Sequence, residues 1–417
     1  MNRSPFFVAC LLFACLGLKS LRAQDSGALI TALVRKGILS NQEAEDIRAD
    51  LLRESAVVPS VVYGGAKSTH RLSVGGRLQL QYAHLDVDTA GTSLDPAATN
   101  HVFLRRVYLT VKAGLGGDWG TVLTYDFAAA GYDDAFIEWK PSPDFFFNFG
   151  LRKVNVAYEE RASSGNIRAI ERSSLTRYFV ESNNGRRLGA AGYRIGAFVE
   201  GKVGSTGLFY NAAITNPERS ESFSLGSSSG DASNNRPAYW GGIGVTGKNG
   251  SLLWTTGVGA GYLPDQGGAG TANLGRGSDL AIYSAYVDVT SDRFTFLGEY
   301  LLGDVERGTA AGRDAKPRGY FLQPSVFVSK AIEVVLRYSS LDSDGRGVTL
   351  ADVIRSSPAG GVMNRSEEWY AGANLYLRGN DLKCQLGFTS AKTRETTAGA
   401  PAEAEALGIR SQLQVQF

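Results

Sequence analysis

Leu407-Gly408-Ile409-Arg410-Ser411-Gln412-Leu413-Gln414-Val415-Gln416-Phe417 is the stretch that decides how the rest of the chain is read. A strand turns successive side chains to opposite faces. Ile409, Ser411, Leu413, Val415 and Phe417 therefore share one face, and Arg410, Gln412, Gln414 and Gln416 share the other. One face is almost wholly apolar and the other polar. An aromatic residue at the end of such a strand is expected of an outer-membrane β-barrel, provided many similar strands precede it.

They do. From residue 70 onward, alternating segments of about ten residues are separated by Gly, Asp, Asn and Ser. The pattern predicts strands at 72–84, 100–113, 119–128, 132–140, 144–152, 186–200, 205–214, 237–247, 251–262, 278–290, 292–304, 318–330, 331–341, 367–378, 381–393 and 407–417, an even set of sixteen. Their connections alternate between short and mostly long, with 129–131 the one short member of the long set. Short turns at one end and long loops at the other mark a bacterial outer-membrane barrel; a soluble sandwich or propeller has no reason to alternate in this way. Leu78, Leu80 and Tyr82 oppose Arg77, Gln79 and Gln81, and Phe145, Phe147, Phe149 and Leu151 oppose Asn148 and Arg152. Lipid cannot hydrogen-bond a backbone, so one oily face per strand requires a closed barrel, and polar inner faces imply a water-filled lumen. The expected fold is an all-β, sixteen-stranded antiparallel transmembrane barrel with a short helical segment before it.

Composition agrees. The chain has 417 residues, with 51 Gly, 10% aromatic residues and a formal net charge of +2. Mean hydropathy is −0.12, too polar for a bundle of membrane helices. Residues 1–23 read as a signal peptide: Arg3, the apolar run 6–16, and Ala23 before Gln24. Residues 24–58 form the one strongly helical region and are expected to lie in the periplasm, followed by a linker at 59–69 and the barrel at 70–417. Past the signal only Cys384 remains, so no intrachain disulfide is expected.

The lumen is where chemistry would sit. Strand parity turns Arg77, Arg106, Lys112, Arg152, Arg194, Arg337 and Arg410 inward, some of them to meet Asp126, Glu200 or Glu333. Arg105 and Arg106 are adjacent and ought to point to opposite faces, so one belongs at a rim, a bulge or a subunit contact. The long connection 153–185 with its flanking pair carries Lys153, Arg161, Arg168, Arg172, Arg177, Arg186 and Arg187 against Glu159, Glu160, Glu171 and Glu181. Folded inward, this loop would narrow the pore and place cations at the constriction. The arginine fork suits oxyanions, and rings of Arg and Lys favour anions where binding stays weak enough for release. The alternative is an outer loop whose charges meet lipopolysaccharide or neighbouring subunits.

Several motifs resemble the phosphate-selective porin O/P family. They are Leu33-Val34-Arg35-Lys36-Gly37-Ile38-Leu39 with Asn41-Gln42-Glu43-Ala44-Glu45, the double-arginine strand Leu104-Arg105-Arg106-Val107-Tyr108-Leu109, and the hairpin of 119–127 with Asp134-Ala135-Phe136-Ile137-Glu138-Trp139. Gly150-Leu151-Arg152-Lys153, Glu171-Arg172-Ser173 and Gly185-Arg186-Arg187-Leu188-Gly189 complete the set. The resemblance implies a sixteen-stranded barrel assembled as a homotrimer in outer-membrane lipid, with an inward third loop and basic residues that bind small anions such as phosphate. It points first to Arg106, or Arg105, and Lys153, and then to Arg172 with Arg161 or Arg168. After the lysine the family often continues Glu-Pro-Phe-Ser; this chain reads Val154-Asn155-Val156-Ala157-Tyr158, so a different loop path is expected.

The leading expectation is a passive, anion-preferring diffusion channel without a cofactor. A general porin with neutralised lumen charges is the alternative within transport. An outer-membrane enzyme is the alternative from another class: His84 and His101 could meet at the rim of the first loop, but no serine is singled out beside them. No Cys/His metal spacing, phosphate-binding loop or nucleic-acid motif is present.

Overall fold

The computed structural model describes residues 71–90, 96–181, 186–217, 236–264, 279–309, 311–396 and 402–417. The signal, helical and linker segments read from the sequence lie outside the described residues. The strands are β1 (Arg71–Ala90), β2 (Thr99–Gly114), β3 (Trp119–Asp126), β4 (Gly131–Ser142), β5 (Phe145–Lys153), β6 (Tyr193–Lys202), β7 (Leu208–Thr215) and β8 (Ala238–Asn249). They continue as β9 (Leu252–Leu263), β10 (Leu280–Thr290), β11 (Phe294–Val305), β12 (Arg318–Phe327), β13 (Ile332–Asp342), β14 (Arg365–Arg378), β15 (Leu382–Arg394) and β16 (Glu403–Gln416). Each pairs antiparallel with its neighbours, and β1 pairs β16 from Arg77↔Gln416 to Ala90↔Glu403, which closes the barrel. Closure leaves no strand edge unpaired.

Alternation decides which side of the wall each residue takes. Leu78, Leu109, Ile137, Phe149, Ile243, Val258, Leu336, Trp369, Phe388 and Val415 are exposed on the outside, an apolar band of a kind a water-soluble surface does not carry. Inside, the seam is stitched by amides. Gln79 donates to Gln414 at 2.7 Å, Gln81 to Gln412 at 2.8 Å, Gln412 to Gln385 at 2.7 Å and Gln385 to Asn374 at 2.9 Å. Such cross-strand pairs are the unit of sheet stabilisation.

The lumen differs from the water-filled interior read from strand parity. The inward faces of β10 to β13 carry Leu280, Ile282, Leu297, Leu301, Phe321 and Leu341, all buried. They back onto the 154–192 connection, hereafter the inner loop, rather than onto water. Its short helices are α1 (Tyr158–Arg161) and α2 (Ser174–Val180). Leu175, Tyr178 and Phe179 of α2 are fully buried in the same cluster as those wall residues. Burying side chains of this size is worth roughly 1.5–3 kcal/mol each, which anchors the loop across the barrel. A third helix, α3 (Leu350–Val353), lies in the 343–364 connection, with Leu350 and Val353 in the cluster too.

Strand boundaries need correction: β1 runs on to Ala90 rather than 84, β16 starts at Glu403 rather than 407, and the largest difference is at the sixth strand. Residues 186–192, read as the start of the sixth strand, belong to the inner loop, and β6 begins at Tyr193. Gly189 and Gly192 take left-handed φ of 57° and 89°, which breaks an extended run. The Leu188 and Ala190 N–H groups instead donate to the Tyr178 and Phe179 carbonyls of α2 at 2.9 and 2.8 Å.

Candidate functional site: the channel constriction

A β-bulge resolves the double arginine. In the β1–β2 register Gln79 faces Arg106 and Leu80 faces Leu104, so Arg105 is the extra residue. A bulge re-aims a side chain that alternation would send outward. Both arginines therefore reach the interior. Arg106, 4% exposed, donates Nη1 to Gln79 Oε1 at 2.8 Å. Arg105 grips Glu171 of the inner loop with Nε at 2.6 Å and Nη2 at 3.1 Å.

The Glu-Arg-Ser element is a set of three ties. Glu171 also accepts from Gln81 Nε2 at 3.1 Å and from Arg355 Nε at 3.4 Å. Burial pushes its carboxyl up, but Arg105 and Arg355 outweigh burial and hold it well below the usual carboxylate range. Arg172 pairs with Glu160 at 2.8 Å and donates to the Ala162 carbonyl at 2.9 Å. Ser173 caps α2, its hydroxyl accepting from the Thr176 N–H at 3.1 Å and donating to Glu159 at 2.7 Å. Lys153, at the top of β5, meets the same Glu160 at 2.8 Å and lies over the Tyr193 ring. Burial opposes ionisation of Glu160, yet Arg172 and Lys153 together depress it.

The other candidates divide by partner. Arg152 pairs with Glu200 and sits between the Phe136 and Phe198 rings. Arg168 pairs with Glu333 at 3.2 Å. Arg337 is buried and donates to Glu368 at 2.8 Å and to the Glu171 carbonyl at 2.8 Å, so it fastens the loop. Arg194 donates to the Ala191 and Tyr193 carbonyls at 3.1 and 2.7 Å and lies over Trp240. Arg77 donates to Ser164 Oγ at 2.6 Å, Ser163 Oγ at 2.9 Å and Gln416 Oε1 at 3.1 Å. A Cβ on Gly165 would come within 2.6 Å of Gln416 Oε1 and 2.8 Å of Arg77 Nε, so a side chain there would displace the ends of both. Arg161 lies over the Tyr158 ring. His84 is on the outward face, 3.2 Å from Asp86, whereas His101 pairs with Ala83 on the inward face beside Phe103, so the register does not bring the two histidines together.

The divergent stretch after Lys153 takes the loop to the far wall. Val154, Val156 and Ala157 are buried. A Cβ on Gly259 of β9 would lie 3.4 Å from the Asn155 carbonyl oxygen, so the loop backbone packs close against β9 there. Glu299 of β11 then accepts the Tyr158 and Glu159 N–H groups at 2.5 and 3.0 Å, at the start of α1.

What remains open is a channel of about 1480 Å³ between the inner loop and the β2–β6 wall. Thirteen Arg and Lys side chains line it against seven Asp and Glu, a surplus of six cations. Sequence reasoning missed Arg355, which reaches Glu171 and Glu181 from the 343–364 connection, and Lys383, buried on the carbonyls of Gly165 and Ile167 at 2.8 and 3.1 Å. Strand parity could have found Lys383; nothing local marks Arg355. Burial lowers Arg355 to about 10, with Glu171 opposing. Glu181 is pushed up by burial, but Arg177, Arg355 and Arg187 bring it down to about 2.

Comparison with known proteins places this geometry. The anion-selective porin of Comamonas acidovorans is similar with a TM-score of 0.54 at 12% identity, over 84% of this chain and 100% of that one. The outer membrane channel DcaP of Acinetobacter baumannii is similar with a TM-score of 0.52 at 11% identity, over 84% and 99%. OmpT, an outer membrane protein of Vibrio cholerae, is similar with a TM-score of 0.51 at 11% identity, over 84% and 99%. At such identities the likeness concerns the fold. No curated protein sequence matches the chain. The sequence profile described as phosphate-selective porin O and P matches residues 72–234, the span that holds β1 to β7, the double arginine and the inner loop. The chain is an outer-membrane porin channel, and its residues 72–234 match the phosphate-selective porin O and P family.

Proposed function

We propose that the channel passes small oxyanions, phosphate among them, by passive diffusion with a preference for anions. The surplus of six cations along the channel carries this reading. Fixed cations in a low-dielectric passage raise the local concentration of anions. Of the candidate residues, Arg106 and Arg77 fit a transient anion contact best, because their partners are neutral amides and hydroxyls that leave the charge uncompensated. Lys153 and Arg172 share the single carboxylate Glu160 and contribute one net positive charge between them. Arg105, Arg152, Arg168 and Arg337 act mainly as ties of the inner loop and the wall.

Those ties also favour a second reading, a weakly selective porin whose lumen charges are largely neutralised. The reversal potential in a planar bilayer under a potassium chloride gradient separates the two. An anion-selective potential, with phosphate blocking chloride current, supports the first; a potential near zero with no effect of phosphate supports the second.

We further infer that the chain is exported by a cleaved signal at residues 1–23, keeps 24–58 in the periplasm, and assembles as a homotrimer in outer-membrane lipid. The outward stacks Trp119–Trp139 at 5.9 Å and Trp139–Phe147 at 5.6 Å, at the short-turn end of β3 to β5, offer an apolar contact face. The mass of the detergent-extracted complex tests the trimer.

A further inference from the structure

Behind the inner loop, away from the channel, a second cavity of about 270 Å³ lies between the loop and the inner faces of β10 to β12. Asp288 stands two residues before the short turn after β10, so the cavity lies toward the short-turn rim. Three groups border it with unmatched bonding capacity. Arg161 makes no ion pair among the described residues; its guanidinium lies 5.6 Å from the Tyr158 ring centre and beside the Tyr286 hydroxyl. Asp288 accepts from the Tyr158 hydroxyl through Oδ2 at 2.9 Å, while its Oδ1 is buried without a partner. Gln323 is 3% exposed, and its Oε1 has no donor.

The other charged neighbours are already matched, Glu299, whose charge also acts at Arg161, by the Tyr158 and Glu159 N–H groups. Arg168 pairs with Glu333 at 3.2 Å. Glu159 accepts from Ser173 Oγ at 2.7 Å and faces Arg337 at 3.5 Å. One cation, one carboxylate and one neutral acceptor are therefore left around a cavity with an apolar wall at Leu297. A buried polar or charged group is costly until it is paired. A simple anion would satisfy Arg161 and confront Asp288; a simple cation would do the reverse. A solute with opposite charges at its two ends satisfies both.

We propose that this cavity binds a small zwitterion of amino-acid size, with its carboxylate on Arg161 and its ammonium shared by Asp288 and the Gln323 amide oxygen. Arg161 borders both cavities, so an occupied site withdraws one cation from the channel wall. Binding is read without current, and the result does not depend on the anion preference proposed above.

The test titrates the full chain in detergent micelles with alanine at neutral pH by calorimetry, with acetate, methylammonium and phosphate as single-charge probes. The expected result is saturable binding of alanine, at least tenfold tighter than any single-charge probe. Arg161→Gln and Asp288→Asn should each weaken it tenfold or more, and Lys112→Gln, on the channel wall, should leave it unchanged. Gln323→Leu, which keeps side-chain volume and adds no charge, should weaken alanine several-fold and serves if a charge variant fails to fold. Acetate or phosphate binding as tightly as alanine makes this a plain anion site and overturns the proposal. So does the absence of saturable heat, or alanine binding that survives Arg161→Gln.

Discussion

The two halves of the barrel wall are built from the same strand pattern and do opposite work. The inner faces of β10 to β15 carry leucines, amides and carboxylates, and they hold the inner loop. The inner faces of β2 to β6 carry arginines, lysines and a minority of carboxylates, and they are left facing the channel. Alternation alone makes both walls; what each wall meets decides whether it becomes a core or a pore. An arginine on the packed side, such as Arg337, is a structural tie, and one on the open side, such as Arg106, keeps its charge available.

The sharpest way to break this division is to remove the packed wall's grip. Phe179→Ala empties a fully buried position and is expected to cost about 3–5 kcal/mol of loop anchoring. Arg337→Ala leaves Glu368 buried without its cation and is expected to cost a similar 3–5 kcal/mol. Both should raise single-channel conductance several-fold and open the loop to protease. Unchanged conductance in both would mean that the loop is held elsewhere.

On the open wall the expected effect is smaller and concerns selectivity. Arg106→Gln removes a charge from a site whose partner is a neutral amide, and should lower the anion-to-cation permeability ratio several-fold with little change in stability. Arg152→Gln releases Glu200 from its pair and should shift the ratio in the same direction. If Arg337→Gln altered selectivity more than Arg106→Gln, the separation of tie from channel would fail.

Acid tests the seam between the halves. Glu181 ionises near 2 in the fold, below its ordinary 4.5. A depressed carboxyl contributes stability that is fully present above the ordinary value and is lost as pH falls through the folded one. Loop protection from protease should therefore be flat above about pH 4.5 and decline between there and 2. Glu171, also depressed, acts in the same direction. The smallest effect is expected on the outer face of β15 and β16: Lys392→Gln breaks solvent-accessible pairs with Glu403 and Glu405, worth about 0–1 kcal/mol, with no change in conductance.

All sixteen strands could be read from alternation and punctuation, because a lipid-facing wall repeats one rule along its length. The sixth strand began seven residues late because Gly185-Arg186-Arg187-Leu188-Gly189 is apolar and charged in a strand-like pattern, while its partner is a helix elsewhere in the loop. The candidate arginines were found by type and parity. Their division into ties and channel residues was not legible, since it depends on carboxylates that come from Glu160 in the loop, Glu200 in β6 and Glu368 in β14.

By itself the sequence determined that the chain closes into a barrel, which residues face outward, and that a basic segment follows the fifth strand. Side-chain direction in a strand is a local property with period two. Only the tertiary structure decided that the basic segment crosses to the β10–β13 wall, that a bulge brings Arg105 inward beside Arg106, and that the channel runs along β2 to β6. Those outcomes rest on contacts between residues more than a hundred positions apart, such as Tyr158 with Glu299 and Ser174 with Glu368. No window of sequence contains both partners.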